Sequence, residues 1–303
     1  MNLKIDEILN DIYNKIFLKE LDYSVNVFLC GADPAITDSL RHFIYKTIKD
    51  DSRYNVVFPE KLFSNLLVEK EYNLLKLENE LANDVDAVVL PLEGLGTMAE
   101  LGAFASFDKL SIKTIVINDK KYKSSRSFLT LGPVKLIASK VKDNVIYYER
   151  NFEKKIDPSE LAELRKKVLS RIKALRKAES KHEIKNFFNL SRFILYIVAI
   201  FQPINEEKIK SLLEKLKKGI ALHYVKPCLE SLVEKQKIIP SITDFKKYYS
   251  LTPSGHFYIY ENLLRRLNII KVFSRIRARV INNNNRQQNK LNMEEELSKF
   301  LVM

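Results

Sequence analysis

Short apolar runs rich in β-branched residues alternate with amphipathic stretches over the first half of the chain. The runs have the length and composition of buried strands, and they lie at residues 25–30, 54–58, 85–90, 113–117 and 144–148. Between them, residues 36–49, 60–83 and 98–108 carry helical spacing. This alternation predicts a doubly wound α/β domain at residues 1–150, with a parallel sheet covered on both faces.

The winding order of such a sheet determines where a ligand binds. In open parallel sheets, ligands bind beyond the carboxyl ends of the strands, at the point where the order reverses. A flavodoxin-like order would make the first and third strands neighbours at that point. The loops at residues 31–33 and 93–97 would then face one crevice.

The second half of the chain is mainly helical in pattern. Residues 157–185 form a charged, leucine-spaced pattern, which predicts a connecting helix within residues 151–186. Three helical patterns and a short β-rich segment follow, which predict a winged helix-turn-helix domain at residues 187–264. Residues 265–290 contain eight basic residues, no acidic residue and an asparagine run at 282–285. This composition predicts that residues 265–303 are a basic, partly disordered tail.

Composition adds a compartment and a class of partner. The formal net charge of +13 favours contact with a polyanion such as nucleic acid. Cys30 and Cys228 lack the spacing of a disulfide framework or a zinc site, which fits a reducing cytoplasm. The longest apolar run, residues 193–201, is too short to cross about 30 Å of hydrocarbon, so we expect a cytoplasmic protein without membrane contact.

The helix predicted to open at Thr97 carries the candidate chemistry. Its backbone N–H groups and positive dipole end would face the crevice, where a phosphate or ribose fits. Glu100 would lie in the first turn, where a carboxylate can attack, or stabilise, a sugar that becomes positively charged as a C–N bond breaks. The alternative is that Glu100 is only a helix-start charge that offsets the dipole.

Three segments resemble the core of the nucleoside 2-deoxyribosyltransferases: residues 27–33, 85–90 and 96–102. In that family the glutamate of the Gly-Thr-x-x-Glu-Leu-Gly pattern is the nucleophile. The resemblance therefore implies that Glu100 is catalytic and that Gly31, Asp33, Gly96 and Thr97 shape a nucleotide site.

A closer resemblance is to the deoxyribosyltransferase-like effectors of retrons, which end in a winged helix. It is carried by residues 74–79, 121–128 and 131–136. It implies an antiviral toxin that cleaves the N-glycosidic bond of NAD or (deoxy)nucleotides. The partners implied are a retron reverse transcriptase and its branched RNA–DNA product, the multicopy single-stranded DNA, and a homo-oligomeric state stays open.

Further side chains are candidates for the substrate site. Arg41 and Arg126 can clamp a phosphate or carboxylate, although ordinary surface pairing is the alternative for each. Glu60 can hold a ribose hydroxyl, and Glu78 can meet the base. Glu93 is the one candidate base-binding acid in a short loop, which favours hydrolysis over base exchange.

The histidines show no metal-ligand spacing. We therefore predict no metal and no cofactor, with NAD or a nucleotide as substrate. The chain has four of them, His42, His182, His223 and His256.

Basic residues of the C-terminal third are the candidates for contact with nucleic acid: Lys226, Lys246, Lys247, Arg275, Arg277 and Arg279. Two other functions stay open. One is a catalytically silent, nucleotide-sensing DNA-binding regulator, and the other is a deoxyribosyltransferase of nucleoside salvage.

Overall fold

A computed structural model describes residues 5–33, 35–49, 51, 53–58, 82, 84–149, 157–178, 184, 187–265 and 267–301. The chain divides into two compact units. The α/β unit comprises Tyr23–Lys181, and the helical unit comprises Met1–Asp22 together with His182–Met303.

The α/β unit is built on a five-stranded parallel sheet. Its strands are β1 (Val25–Leu29), β2 (Tyr54–Val57), β3 (Ala87–Pro91), β4 (Thr114–Asp119) and β5 (Val145–Tyr148). Their spatial order is β2-β1-β3-β4-β5, with every neighbouring pair parallel. This is the flavodoxin-like order, and it confirms the five predicted strands and the pairing of the first strand with the third.

The helices of the α/β unit are α3 (Leu40–Lys49), α4 (Leu95–Ser106), α5 (Asp108–Ser111), α6 (Lys135–Lys140) and α7 (Pro158–Ala178), numbered after two N-terminal helices of the other unit. Short 3-10 turns lie at Lys120–Tyr122 and Lys142–Asn144, and a π-helical turn at Thr130–Val134 precedes α6. The helix predicted at residues 60–83 falls, apart from Ala82, outside the described residues.

Alternation along the strands gives the sheet two apolar faces. One face carries Val27 and Leu29 of β1 and packs against α3 and α7. Leu164, Val168 and Ile172 of α7 are buried in this core at a spacing of four residues. A helix was predicted within residues 151–186, and the structure adds that the charges of α7 surround an apolar stripe that covers the sheet.

The helical unit combines both ends of the chain. Its helices are α1 (Ile5–Ile12), α2 (Leu18–Tyr23), α8 (Phe187–Phe201), α9 (Glu206–Lys215), α10 (Val225–Glu234), α11 (Pro253–Phe257) and α12 (Ile270–Leu301). Strands β6 (Ile204–Asn205), β7 (Ile238–Thr243) and β8 (Lys246–Leu251) form an antiparallel sheet in the order β6-β8-β7. π-helical turns lie at Tyr13–Phe17 and Tyr258–Arg265, and a 3-10 turn lies at Leu222–Tyr224.

The position of the N-terminal helices differs from the prediction, which placed residues 1–150 in one α/β domain. They belong to the helical unit, where the ring of Phe17 lies edge-on to Phe193 with centroids 5.2 Å apart. Ile8, Leu9 and Ile12 are fully buried. An amphipathic helix needs an apolar partner, and the C-terminal helices supply it.

The C-terminal segment also differs from its prediction, since residues 270–301 form one helix, α12. Phe273, Ile276 and Val280 are buried in the helical unit. Their spacing of three and four residues gives the first part of the segment an apolar stripe between its basic residues, which the prediction of a basic tail did not include.

A buried carboxyl group lies beneath this helical packing. Glu20 of α2 is fully buried, and its Oε1 lies 3.7 Å from Nε of Arg192 on α8. Burial raises the pKa of Glu20, while the nearby Arg192 acts in the opposite direction. The folded state therefore favours the protonated carboxyl group more than the unfolded chain does.

This shift predicts a pH dependence of stability. The stabilisation is fully present below the unfolded pKa and is lost as pH rises through the raised folded pKa. Relative to Glu20→Gln, which cannot ionise, the wild-type free energy of unfolding should fall as pH rises from about 4.5. Urea unfolding across a pH series measures this difference, with the exposed Glu207→Gln as control. A difference that is constant with pH would contradict the assignment.

Candidate active site

The crevice predicted at the sheet edge has its two loops in place. Strands β1 and β3 are parallel neighbours that end at Leu29 and Pro91, so the loops that follow them start from the same edge. The first of these loops stays attached to the sheet, because the backbone N–H of Cys30 donates to Val89 O over 3.1 Å.

Helix α4 begins two residues earlier than predicted. It starts at Leu95, and the Thr97 hydroxyl donates to Gly94 O over 2.8 Å while the Gly94 N–H donates to Thr97 Oγ1 over 3.3 Å. This reciprocal pair closes the helix start. Thr97 is buried and serves as a cap. Glu100 consequently lies in the second turn of α4, not in the first.

Glu100 lies at the border of the buried face of α4. That face carries Thr97, Leu101, Phe104 and Ala105. Glu100 itself is half-buried, and its Oε2 atom is excluded from solvent. The carboxylate of Glu100 is therefore partly shielded from solvent on the helix that follows β3.

Gly96 lies one turn before Glu100 on the same side of α4, since residues four apart are neighbours on a helix. It is exposed, and a Cβ added there would meet no atom of the described residues within 4 Å, apart from its own helix backbone. The packing of these residues therefore does not require glycine at this position. Among them, the space beside Glu100 towards the helix start is open.

Arg41, which we predicted as a clamp for a phosphate or carboxylate, is buried. Its Nη1 donates to Ala32 O over 2.7 Å, and its guanidinium carbon lies 4.8 Å from the ring centroid of Phe58. Gly31 has a φ of +139°, and a Cβ there would lie 2.7 Å from Arg41 Cβ. The arginine stem and the glycine are thus packed together, and both shape the loop after β1.

Glu93 also has a structural task that the sequence did not predict. Its Oε1 accepts the backbone N–H of Leu40 over 2.6 Å, and its Oε2 accepts that of Arg41 over 3.1 Å. A carboxylate at the start of α3 satisfies two helix-end donors and complements the helix dipole. Each oxygen thus accepts one N–H of α3, which gives Glu93 a capping task beside the base-binding role that we predicted.

The remaining substrate candidates lie at the rim of the α/β unit or outside the described residues. Asp33 is exposed, and its Oδ1 accepts the N–H of Ala35 over 2.8 Å, which forms the turn after β1. Arg126 is exposed in the segment after β4. Glu60 and Glu78 belong to the part of the chain that the structure does not describe.

Two exposed apolar side chains were missed by the sequence reasoning. Leu95, the first residue of α4, is 86% exposed, and Phe128 is 87% exposed. The turn Thr130–Val134 packs against α4, and a Cβ at Gly132 would lie 3.7 Å from the Phe128 ring. Apolar residues are usually expected in the core, so nothing in the sequence indicated that these two side chains face solvent.

The predicted nucleic-acid contacts separate into two groups. Lys226, Lys246, Lys247 and Arg275 are exposed. Arg277 donates to the Tyr260 hydroxyl over 3.3 Å, and Arg279 lies 3.4 Å from Asp11 and 3.7 Å from Glu7. These two arginines of α12 thus contact other elements of the helical unit, whereas we predicted that they contact nucleic acid.

No group of His, Cys, Asp and Glu among the described residues is arranged to hold a metal ion. Within the same residues, no helix combines the length and apolar character needed to cross a membrane.

Comparison with known proteins identifies the class. Residues 37–241 match the STM3845 retron effector protein family, and the chain belongs to this family.

Two relatives from Escherichia coli are similar over much of the chain. "Retron Ec86 putative ribosyltransferase/DNA-binding protein" is 30% identical over 299 residues, which are 95% of this chain and 94% of that protein. "Retron Ec73 putative ribosyltransferase/DNA-binding protein" is 26% identical over 225 residues, which are 68% of this chain and 71% of that protein. Their names support a ribosyltransferase-like activity at a coarse level.

The role of Glu93 generates a stability prediction. Glu93→Gln keeps the shape of the side chain but removes the charge and one acceptor oxygen, so the free energy of unfolding should fall by about 1–2 kcal/mol. Denaturant titration measures the loss. Glu163→Gln, which alters an exposed pair with Lys167, is the matched control and should cost less than about 0.5 kcal/mol. Equal stability of the two variants would contradict the capping role.

Proposed function

We propose that this retron effector is an N-glycosidase that hydrolyses the bond between base and sugar in NAD or (deoxy)nucleotides. Glu100 is the catalytic carboxylate of this proposal. The observation that carries it is the half-buried carboxylate on α4 with open space at Gly96, beside the carboxyl ends of β1 and β3.

The chemistry requires a carboxylate at this place. When the C–N bond breaks, positive charge builds on the sugar, and Glu100 can stabilise that charge or attack the anomeric carbon. The first turn of α4, in which Leu95 and Gly96 are exposed, supplies backbone N–H groups for the phosphate or ribose. Gly96 allows the sugar to approach because it has no side chain there.

We propose that the base of the substrate contacts exposed apolar side chains beside the sugar site. Leu95 at the start of α4 and Phe128 are almost fully exposed, and ligand pockets are lined mostly by apolar and aromatic side chains. Arg126, exposed after β4, is the proposed anion contact, and Asp33 and Gly31 shape the loop opposite α4.

Hydrolysis is favoured over base exchange by the state of Glu93. Both of its oxygens accept N–H groups of α3, which fixes the carboxylate at the helix start and uses part of its acceptor capacity. Water needs no binding site of that kind. We therefore propose water as the acceptor in the second half of the reaction.

We propose that the helical unit is a winged helix-turn-helix that contacts nucleic acid. Its order of α8, β6, α9, α10 and the hairpin β7–β8 supports this assignment. The exposed Lys226, Lys246 and Lys247 are the proposed phosphate contacts. A reverse transcriptase and its branched RNA–DNA product are the proposed partners that hold the effector silent in the cytoplasm.

Glu100→Gln tests the catalytic proposal. The amide keeps the shape but can neither neutralise the developing charge nor attack, so base release should fall at least about a hundredfold. Chromatography of free base from NAD and deoxynucleotides measures the rate, with and without the reverse transcriptase and its nucleic acid. Glu163→Gln, an exposed isosteric change in the same unit, is the control and should keep the wild-type rate.

The proposed partners hold the effector silent until it is released, so activity in cells completes the test. Glu100→Gln should abolish toxicity under conditions in which the wild type is toxic. A wild type that is toxic, releases no base with any partner, and is matched by Glu100→Gln would overturn the proposal and favour the nucleotide-sensing regulator.

A further inference from the structure

The tip of the β7–β8 hairpin is exposed on every side. All residues from Ser241 to Lys247 are exposed, whereas Tyr249 and Leu251 further along β8 are buried. The hairpin therefore extends beyond the core of the helical unit. At its tip, Phe245 is 105% exposed and Ile242 is 79% exposed.

Folding alone gives no reason for an aromatic residue at this tip. Asp244 has a φ of +49° and Phe245 a φ of +58°, and β7 and β8 pair directly across them. A two-residue hairpin turn with both φ values positive favours asparagine and glycine. Phe245 bears the strain of this conformation and buries none of its ring, and such strain is typical of functional positions.

The residues around Phe245 indicate the chemistry of its ligand. Lys246 and Lys247 follow it directly, and Lys247 pairs across the hairpin with Ile242. Lys246 Nζ lies 4.0 Å from the exposed Glu207, a distance typical of a weak surface pair. An aromatic ring beside cations complements a base flanked by phosphates. A protein partner fits less well, because lysine is depleted in protein interfaces.

We propose that the hairpin tip binds single-stranded nucleic acid, with the Phe245 ring stacked on an unpaired base and Lys246 and Lys247 on the adjacent phosphates. Stacking on an unpaired base is sequence-tolerant, since every base presents a π-face. Insertion into a duplex would first require unstacking of a base step, which favours the single strand. The inference rests on the proposed nucleic-acid role of the helical unit and is independent of Glu100.

The full chain allows a direct test with an oligothymidylate of about 12 nucleotides, within the site size of single-strand binders. Fluorescence anisotropy should show that Phe245→Ala weakens binding roughly tenfold, as expected for the loss of one stacked base. Ile239→Ala removes another exposed apolar side chain of the same hairpin and should bind as the wild type does. Thermal unfolding confirms that both variants remain folded.

Phe245→Trp provides a second readout, because the chain contains no other tryptophan. The variant should retain wild-type affinity, and its indole emission should be quenched by the single strand. Lys246→Ala combined with Lys247→Ala should reduce the slope of log affinity against log salt by roughly 1.4, from about 0.7 for each phosphate contact on a single strand.

Three outcomes would overturn the proposal. They are equal affinity of Phe245→Ala and wild type, an unquenched indole in a bound Phe245→Trp complex, and tighter binding to a matched duplex than to the single strand. In each of these the nucleic-acid role of the helical unit survives. A wild type that binds neither probe removes that role together with this inference, while base release remains a separate measurement on Glu100.

Discussion

The candidate site depends on one chain of hydrogen bonds that joins its two loops through a helix. Glu93, in the loop after β3, accepts two N–H groups at the start of α3. Arg41, at that same helix start, reaches the loop after β1 and donates to Ala32 O and to Gly31 O, the latter over 3.4 Å. The loops at the carboxyl ends of β1 and β3 are thus held by a common helix, so the crevice is shaped before any ligand enters.

This arrangement divides the tasks within the α/β unit. Three polar side chains form hydrogen bonds with backbone atoms and so shape the crevice: Arg41, Glu93 and Thr97. The half-buried Glu100 and the exposed position at Gly96 lie on one side of α4, where we propose that the chemistry takes place. Polar residues near a site can therefore have different tasks. Buried side chains that bond to the backbone hold the loops in place, and other side chains are left to contact substrate.

The sequence predicted the sheet well, because five short β-branched runs between helical patterns leave few other topologies. It did not predict the tasks of Arg41 and Glu93. Their partners are 9 and 52 or 53 residues away, and such pairings follow from the fold rather than from local spacing. The packing of helices α7 and α12 could not be predicted for a different reason, since the surface that each apolar stripe covers lies elsewhere in the chain.

Two glycines of α4 test the central claim, which is that substrate occupies the open space beside Glu100. Within the described part of the chain, a Cβ at Gly96 or at Gly102 would meet no atom of another element within 4 Å, so both can become alanine without a clash there. Each substitution should preserve or raise stability, by up to about 1 kcal/mol, because alanine favours the helix. Only Gly96 shares the side of Glu100, whereas Gly102 lies about 200° around the helix from it.

The measurement is the rate of base release by Gly96→Ala and Gly102→Ala under the condition in which the wild type is active. The account predicts at least about a tenfold loss for Gly96→Ala, since one methyl group misplaces the sugar, and a wild-type rate for Gly102→Ala. Equal rates for both variants would contradict the placement of the substrate.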